Sequence, residues 1–164
     1  MILPVQRDDA LLADIRGAEA SPEVLHAWWL GQSGFLIAWN GFHLLIDPYL
    51  SDSLTVKYAD TDKPHVRMTE RVIAPERLDF IDVVTSSHNH TDHLDGETLR
   101  PMIAANPAVR MIIPEANRAF VAQRLGCAPE WPLGMDAGQQ RDLAPLTVAA
   151  VPAAAEAAHD DGVT

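Results

Sequence analysis

The sequence predicts a mixed α/β domain, one sheet with helices packed on a single face. Three observations carry that expectation. The first third holds three short apolar runs split by turn signals, the pattern of an antiparallel meander. After residue 80, strand-like and helix-like segments alternate. The chain has 164 residues and is 48% hydrophobic, so one domain of ordinary size can bury a sizeable core.

Residues 8–20, "DDALLADIRGAEA", read as a short amphipathic helix that ends at Ser21-Pro22. "HAWWLGQSGFLIAWNGFHLLIDPYL" follows, with apolar runs at 27–30, 35–39 and 42–46. Residues 31–34 divide the first two, and Asn40-Gly41 divides the second and third. Asn-Gly between apolar runs is a strong hairpin signal. Three antiparallel strands result, the third closed by Asp47-Pro48. Residues 51–79 are polar and aperiodic, mostly loop, with a helical turn near "APERL". A loop of that length in a compact domain is usually functional or partly ordered by a neighbour.

"FIDVVTSS" is β-branched and reads as a buried strand. A helix starts at Asp95 or Gly96 and stops before Pro107, although Pro101 lies near its middle. "AVRMIIP" is a strand, "EANRAFVAQRLG" a helix capped by Gly126, and "APLTVAAVPA" contains a further strand. The last segment, "AAEAAHDDGVT", reads as loop.

The formal net charge is −11, spread along the chain. Such a surface is soluble and repels phosphate backbones, which disfavours nucleic acid as a partner. No apolar run approaches membrane-spanning length, so no membrane partner is expected. Cys127 is the single cysteine, which leaves no intrachain disulfide and no thiolate zinc site. The first residues carry acids where a signal peptide would be basic, and a cytoplasmic protein is the expectation.

The densest chemistry is "SSHNHTDHLD", directly after the buried strand. Functional groups gather where such strands run into loops. His88 and His90, two apart, can face one ion if the backbone is extended, while Asp92 and His93 come round the turn to face a second. Imidazole with carboxylate suits zinc, manganese or iron. Two such ions can share a hydroxide and clamp an oxyanion. The alternative is a polar loop whose histidines cap the next helix. His26, His43 and His65 stand singly and carry no assigned role.

"HNHTDHLD" resembles the His-x-His-x-Asp-His signature of the metallo-β-lactamase superfamily. "WWLGQSGFLIAWNGFHLLIDPYL" is similar to the opening of its branch that includes L-ascorbate-6-phosphate lactonase, and the resemblance runs from residue 27 to about residue 160. It implies an αββα sandwich with two divalent metal ions, zinc or manganese, at one edge. It further implies His88 and His90 on the first ion and Asp92 and His93 on the second, with Asp92 also handling a proton. Asp47 would lie beneath the site; a carboxylate there can fix the tautomer of a ligand histidine. As plain sequence, Asp47 is equally a turn residue before Pro48.

The resemblance also implies a third histidine for the first ion. His159 is the one left to supply it, either as that ligand on a lengthened loop or as a tail residue. The bridging Asp and a later His of the superfamily have no counterpart in residues 1–164. The expectation is therefore a single domain, 1–164, that lacks the C-terminal part of the usual fold. An exposed sheet face would then call for a homo-oligomer or a covering partner.

The implied activity is that of a metal-dependent, lactonase-like hydrolase in which metal-bound hydroxide attacks a lactone, ester or phosphoester of a small anionic metabolite. Lys57, Lys63, Arg67 and Arg71 either meet that anion or are ordinary surface charge. The alternatives are a small-molecule phosphodiesterase and an inactive metal-binding or assembly fragment.

Overall fold

The computed structural model describes residues 1–152. Three strands, β1 (His26–Trp29), β2 (Phe35–Trp39) and β3 (Phe42–Ile46), pair antiparallel as a meander. Asn40 and Gly41 both have positive φ, +52° and +76°, as the tight hairpin turn between β2 and β3 requires. The sheet then turns parallel through β4 (Val83–Thr85), β5 (Arg110–Pro114) and β6 (Leu133–Met135), in the order β1-β2-β3-β4-β5-β6.

Parallel neighbours need crossovers, and helices supply them. These are α3 (Gly96–Ala105) between β4 and β5, and α4 (Arg118–Leu125) between β5 and β6. The remaining helices are α1 (Asp8–Ala18), ahead of the sheet, and the one-turn α2 (Ser53–Lys57). α1, α3 and α4 share one sheet face. Leu11, Leu12 and Ile15 of α1, Leu99 and Met102 of α3, and Val121 and Leu125 of α4 pack against Leu36, Leu45, Val84, Met111 and Ile113 of the strands. Burial of this apolar surface is the main favourable contribution to the fold.

The opposite face is partly covered. A hairpin of β7 (Gln140–Leu143) and β8 (Leu146–Ala149) lays Leu143, Leu146 and Val148 on Phe42, Val83, Ile112 and Met135. At the meander end of the same sheet, Trp29 and Phe35 stay 55% and 42% exposed.

Pro101 does not break α3. Asp95 caps the helix, accepting from Glu97 N and Thr98 N, and Leu99 and Met102 anchor it in the core. Ser53 of α2 donates to the same carboxylate at 2.9 Å. Three elements fall outside the expectation from sequence: α2, β6 and β7. α2 has five residues, too few to show periodicity, and β7 is "QRDL", with three exposed positions. β6 has three residues around Gly134, where a Cβ would collide with the Glu115 carboxylate of the Glu115–Arg118 ion pair.

Candidate metal centre

β3 and β4 run parallel, so their carboxyl ends open on the same edge of the sheet. Asp47 follows β3 directly, and Ser87 and His88 follow β4 after Ser86. Backbone hydrogen bonds tie the exit of β3 to β4 and that of β4 to β5, with Asp47 N donating to Thr85 O at 3.2 Å and Ser86 N to Ile112 O at 3.0 Å. Asp47 has φ +42°, a left-handed conformation that Asp tolerates better than most residues.

The loop 88–93 is held from several sides. Leu94 is fully buried and anchors its end. His93 N and Leu94 N both donate to His90 O, at 3.0 and 2.8 Å, which curls the loop. Arg124 of α4 donates to Asn89 O and Leu94 O. Ser86 Oγ donates to His88 O at 2.8 Å. Ser33, in the β1–β2 turn, places its hydroxyl within hydrogen-bond reach of Asp92 O (2.6 Å) and Asp47 O (3.1 Å).

The result is convergence. The rings of His88 and His93 lie 4.0 Å apart between centroids, and those of His88 and His90 4.6 Å apart, edge to face. Asp92 Oδ2 is 3.7 Å from His93 Nε2. His88, Asp92 and His93 are half-buried and His90 is exposed, so the cluster is open to solvent on one side.

Beneath it, Asp47 is 5% exposed and collects donors. Its Oδ1 accepts from Ser87 N at 2.9 Å and Thr85 Oγ1 at 3.1 Å. Its Oδ2 accepts from His93 Nδ1 at 2.7 Å and from the Ser87 hydroxyl. Burial alone would raise the Asp47 pKa, but the hydrogen bonds from His93 and Ser87 outweigh it and hold the carboxyl below its ordinary value. For His93, burial opposes the charged ring, yet Asp47 and then Asp92 win and its pKa is raised. Burial lowers that of His88, assisted by neighbouring His93 and His90.

Asp47, His88 and His93 each offer an atom within 4.8 Å of the others, so by distance alone these three could share an ion. The hydrogen bonds favour a different division. Four donors already fill the roughly four acceptor positions of the Asp47 carboxylate. Asp47 therefore supports the site, while the Nε2 of His93, whose Nδ1 proton points to Asp47, remains for a metal. The ring nitrogens of His88 and His93, with His90 and the Asp92 carboxylate beside them, form a donor set suited to a borderline divalent ion, and the residues present fit such an ion.

His159 lies outside the described residues. His26 stacks on Trp28, His43 packs edge-on against Phe80, and His65 sits edge-on to Tyr49, each in surroundings of its own. One expectation is corrected. Arg67 is 3% exposed, and its guanidinium donates to Thr69 O, Ser51 O and Tyr49 O, so it closes loop carbonyls and cannot meet an anion from solvent. Lys57, Lys63 and Arg71 are exposed. Sequence reasoning missed Ser33, Thr85, Ser87 and Arg124. The one local signal was the Ser86-Ser87 pair ahead of the histidines.

Comparison with known proteins follows this geometry. A family model described as a beta-lactamase superfamily domain matches residues 27–161. The chain is 32% identical over 109 residues to the mitochondrial N-acyl-phosphatidylethanolamine-hydrolyzing phospholipase D of Saccharomyces cerevisiae, over 66% of this chain and 22% of that protein. It is 30% identical over 111 residues to a UPF0173 metal-dependent hydrolase of Hyperthermus butylicus, over 67% of this chain and 41% of that one. The chain thus spans less than half the length of either relative. Among solved structures, CmlA, a diiron beta-hydroxylase from Streptomyces venezuelae, matches with a TM-score of 0.53 at 23% identity, over 80% of this chain and 24% of that chain, a likeness of fold alone.

Proposed function

The chain belongs to the beta-lactamase superfamily, and on that footing we propose that it carries the metal-binding segment of a metal-dependent hydrolase that cleaves an ester or phosphoester of a small polar metabolite. The observation that supports this most is the loop 88–93, curled so that the His88 and His93 rings lie together above Asp47 with His90 and Asp92 beside them. Divalent ions bound there supply Lewis acidity, lowering the pKa of water and stabilising an oxyanion.

The chain's own groups take the remaining roles. His88, His90 and His93 present ring nitrogens to hold the ions. Asp92 adds carboxylate oxygens and is the group to take a proton from the attacking water and return it to the leaving oxygen. Asp47 keeps the Nδ1 proton of His93 on its own side, so Nε2 faces the site. The yeast relative is named for hydrolysing a phospholipid, which favours a phosphodiester over a lactone as the bond cleaved.

The test is turnover by zinc- or manganese-loaded protein on bis-p-nitrophenyl phosphate beside an acyl-lactone. Hydrolysis of the phosphodiester is expected, with Asp92→Asn slowing it by ~10²–10⁴-fold, the range for a lost general acid–base group. Hydrolysis of the lactone alone would reassign the substrate class. A metal-loaded chain inert on both would overturn the hydrolase reading.

A further inference from the structure

We propose that Ser87 is a positioning residue that extends the reach of Asp47 to a second histidine, fixing the tautomer of His88 as Asp47 itself fixes that of His93. The inference rests on the metal-centre reading above and adds to it a residue and a mechanism. It follows from assigning each proton. The Asp47 carboxylate can only accept. Ser87 Oγ is hydrogen-bonded to Asp47 Oδ2, and such a bond needs a proton between the two oxygens. That proton can come only from the Ser87 hydroxyl, which has a single one to give.

The Ser87 oxygen also lies 3.0 Å from His88 Nδ1. With its own proton directed to Asp47, it can meet that nitrogen only as an acceptor, so His88 carries its proton on Nδ1. His93 Nδ1 is 3.5 Å from the same oxygen but 2.7 Å from Asp47 Oδ2, and its proton goes to the carboxylate. One buried carboxylate thus orients two imidazoles, directly and through a hydroxyl. Both rings are left with an unprotonated Nε2, the form a metal ligand must have. The backbone N–H of Ser87 on Asp47 Oδ1, at 2.9 Å, holds the serine in register for this.

The tautomers are readable without any metal. Long-range ¹H–¹⁵N correlation spectra of the metal-free chain, at a pH of about 8.5, roughly two units above the ordinary imidazole pKa, assign each ring by its nitrogen shifts. The native protein is expected to show Nδ1–H for both His88 and His93. Ser87→Ala is expected to release His88 toward Nε2–H, the tautomer an unconstrained imidazole favours, while His93 stays Nδ1–H. Ser87→Thr keeps the hydroxyl and should keep both.

Zinc affinity, measured by competition with a chromophoric chelator, should fall ~10-fold or more in Ser87→Ala and recover in Ser87→Thr, as for other residues that support metal ligands. His88 already Nε2–H in the native chain, or still Nδ1–H in a folded Ser87→Ala, overturns the proposal. Should Ser87→Ala not fold, the native spectrum and that of Ser87→Thr decide alone. A chain that shows the expected tautomers yet binds no zinc would sink the metal centre and leave the relay standing, so the two failures are distinct.

Discussion

His93→Ala is expected to weaken divalent-metal binding by more than about 100-fold, beyond the ~10–100-fold typical when a supporting residue is lost. His93 sits at the middle of the cluster. Its Nδ1 meets Asp47 at 2.7 Å, its Nε2 lies 3.7 Å from Asp92 Oδ2, and its ring lies 4.0 Å from that of His88. Removing it deletes a ligand and also leaves the buried Asp47 carboxylate short of a donor. A chelator competition assay on both proteins measures the change, and equal affinities would remove His93 from the centre.

Asp47→Asn is expected to lower metal affinity by ~10–100-fold and to destabilise the fold by about 1–3 kcal/mol. The amide is nearly isosteric, but its nitrogen donates where the carboxylate accepts. At least one of His93 Nδ1–H, Ser87 O–H, Ser87 N–H and Thr85 O–H then faces a donor. The pH dependence follows from the lowered Asp47 pKa. A carboxyl whose folded-state pKa lies below its unfolded value, about 3.9, gives its full stabilisation above that pH and loses it as pH falls through the folded value. In urea melts the gap between the native chain and the variant should therefore narrow as pH is taken progressively below about 3.9. A gap that stays constant would show that Asp47 does not titrate as described.

The loop candidates were legible because they are local. His88, His90, Asp92 and His93 lie within six positions after a β-branched run, and the structure brings that run out as β4, a buried strand feeding the loop. The meander was legible through Asn40-Gly41, and α4 through Gly126, which takes the left-handed conformation at its cap. Asp47 was a candidate through the family resemblance of the hairpin it closes; as plain sequence it read equally as a turn residue before Pro48.

What Asp47 touches was not visible. Ser87 and Thr85 reach it through a parallel register that joins residues about 40 apart in sequence, and no short-range pattern encodes that register. Ser33 and Arg124 brace the loop from the β1–β2 turn and from α4, again through tertiary contacts. Arg67 shows the reverse error. In a polar stretch it reads as surface charge, yet the fold draws its guanidinium onto three carbonyls. Short strands such as β6 exist because a neighbour pairs with them, and three residues carry too little periodicity to announce it.

Elemental analysis of purified chain, loaded with zinc or manganese and dialysed, beside His90→Ala treated identically, tests the convergence at the end of β4 most directly. The geometry predicts ions retained in stoichiometric amount by the native chain, up to two per molecule, and largely lost from the variant. Equal retention by both proteins, or none by either, would contradict it.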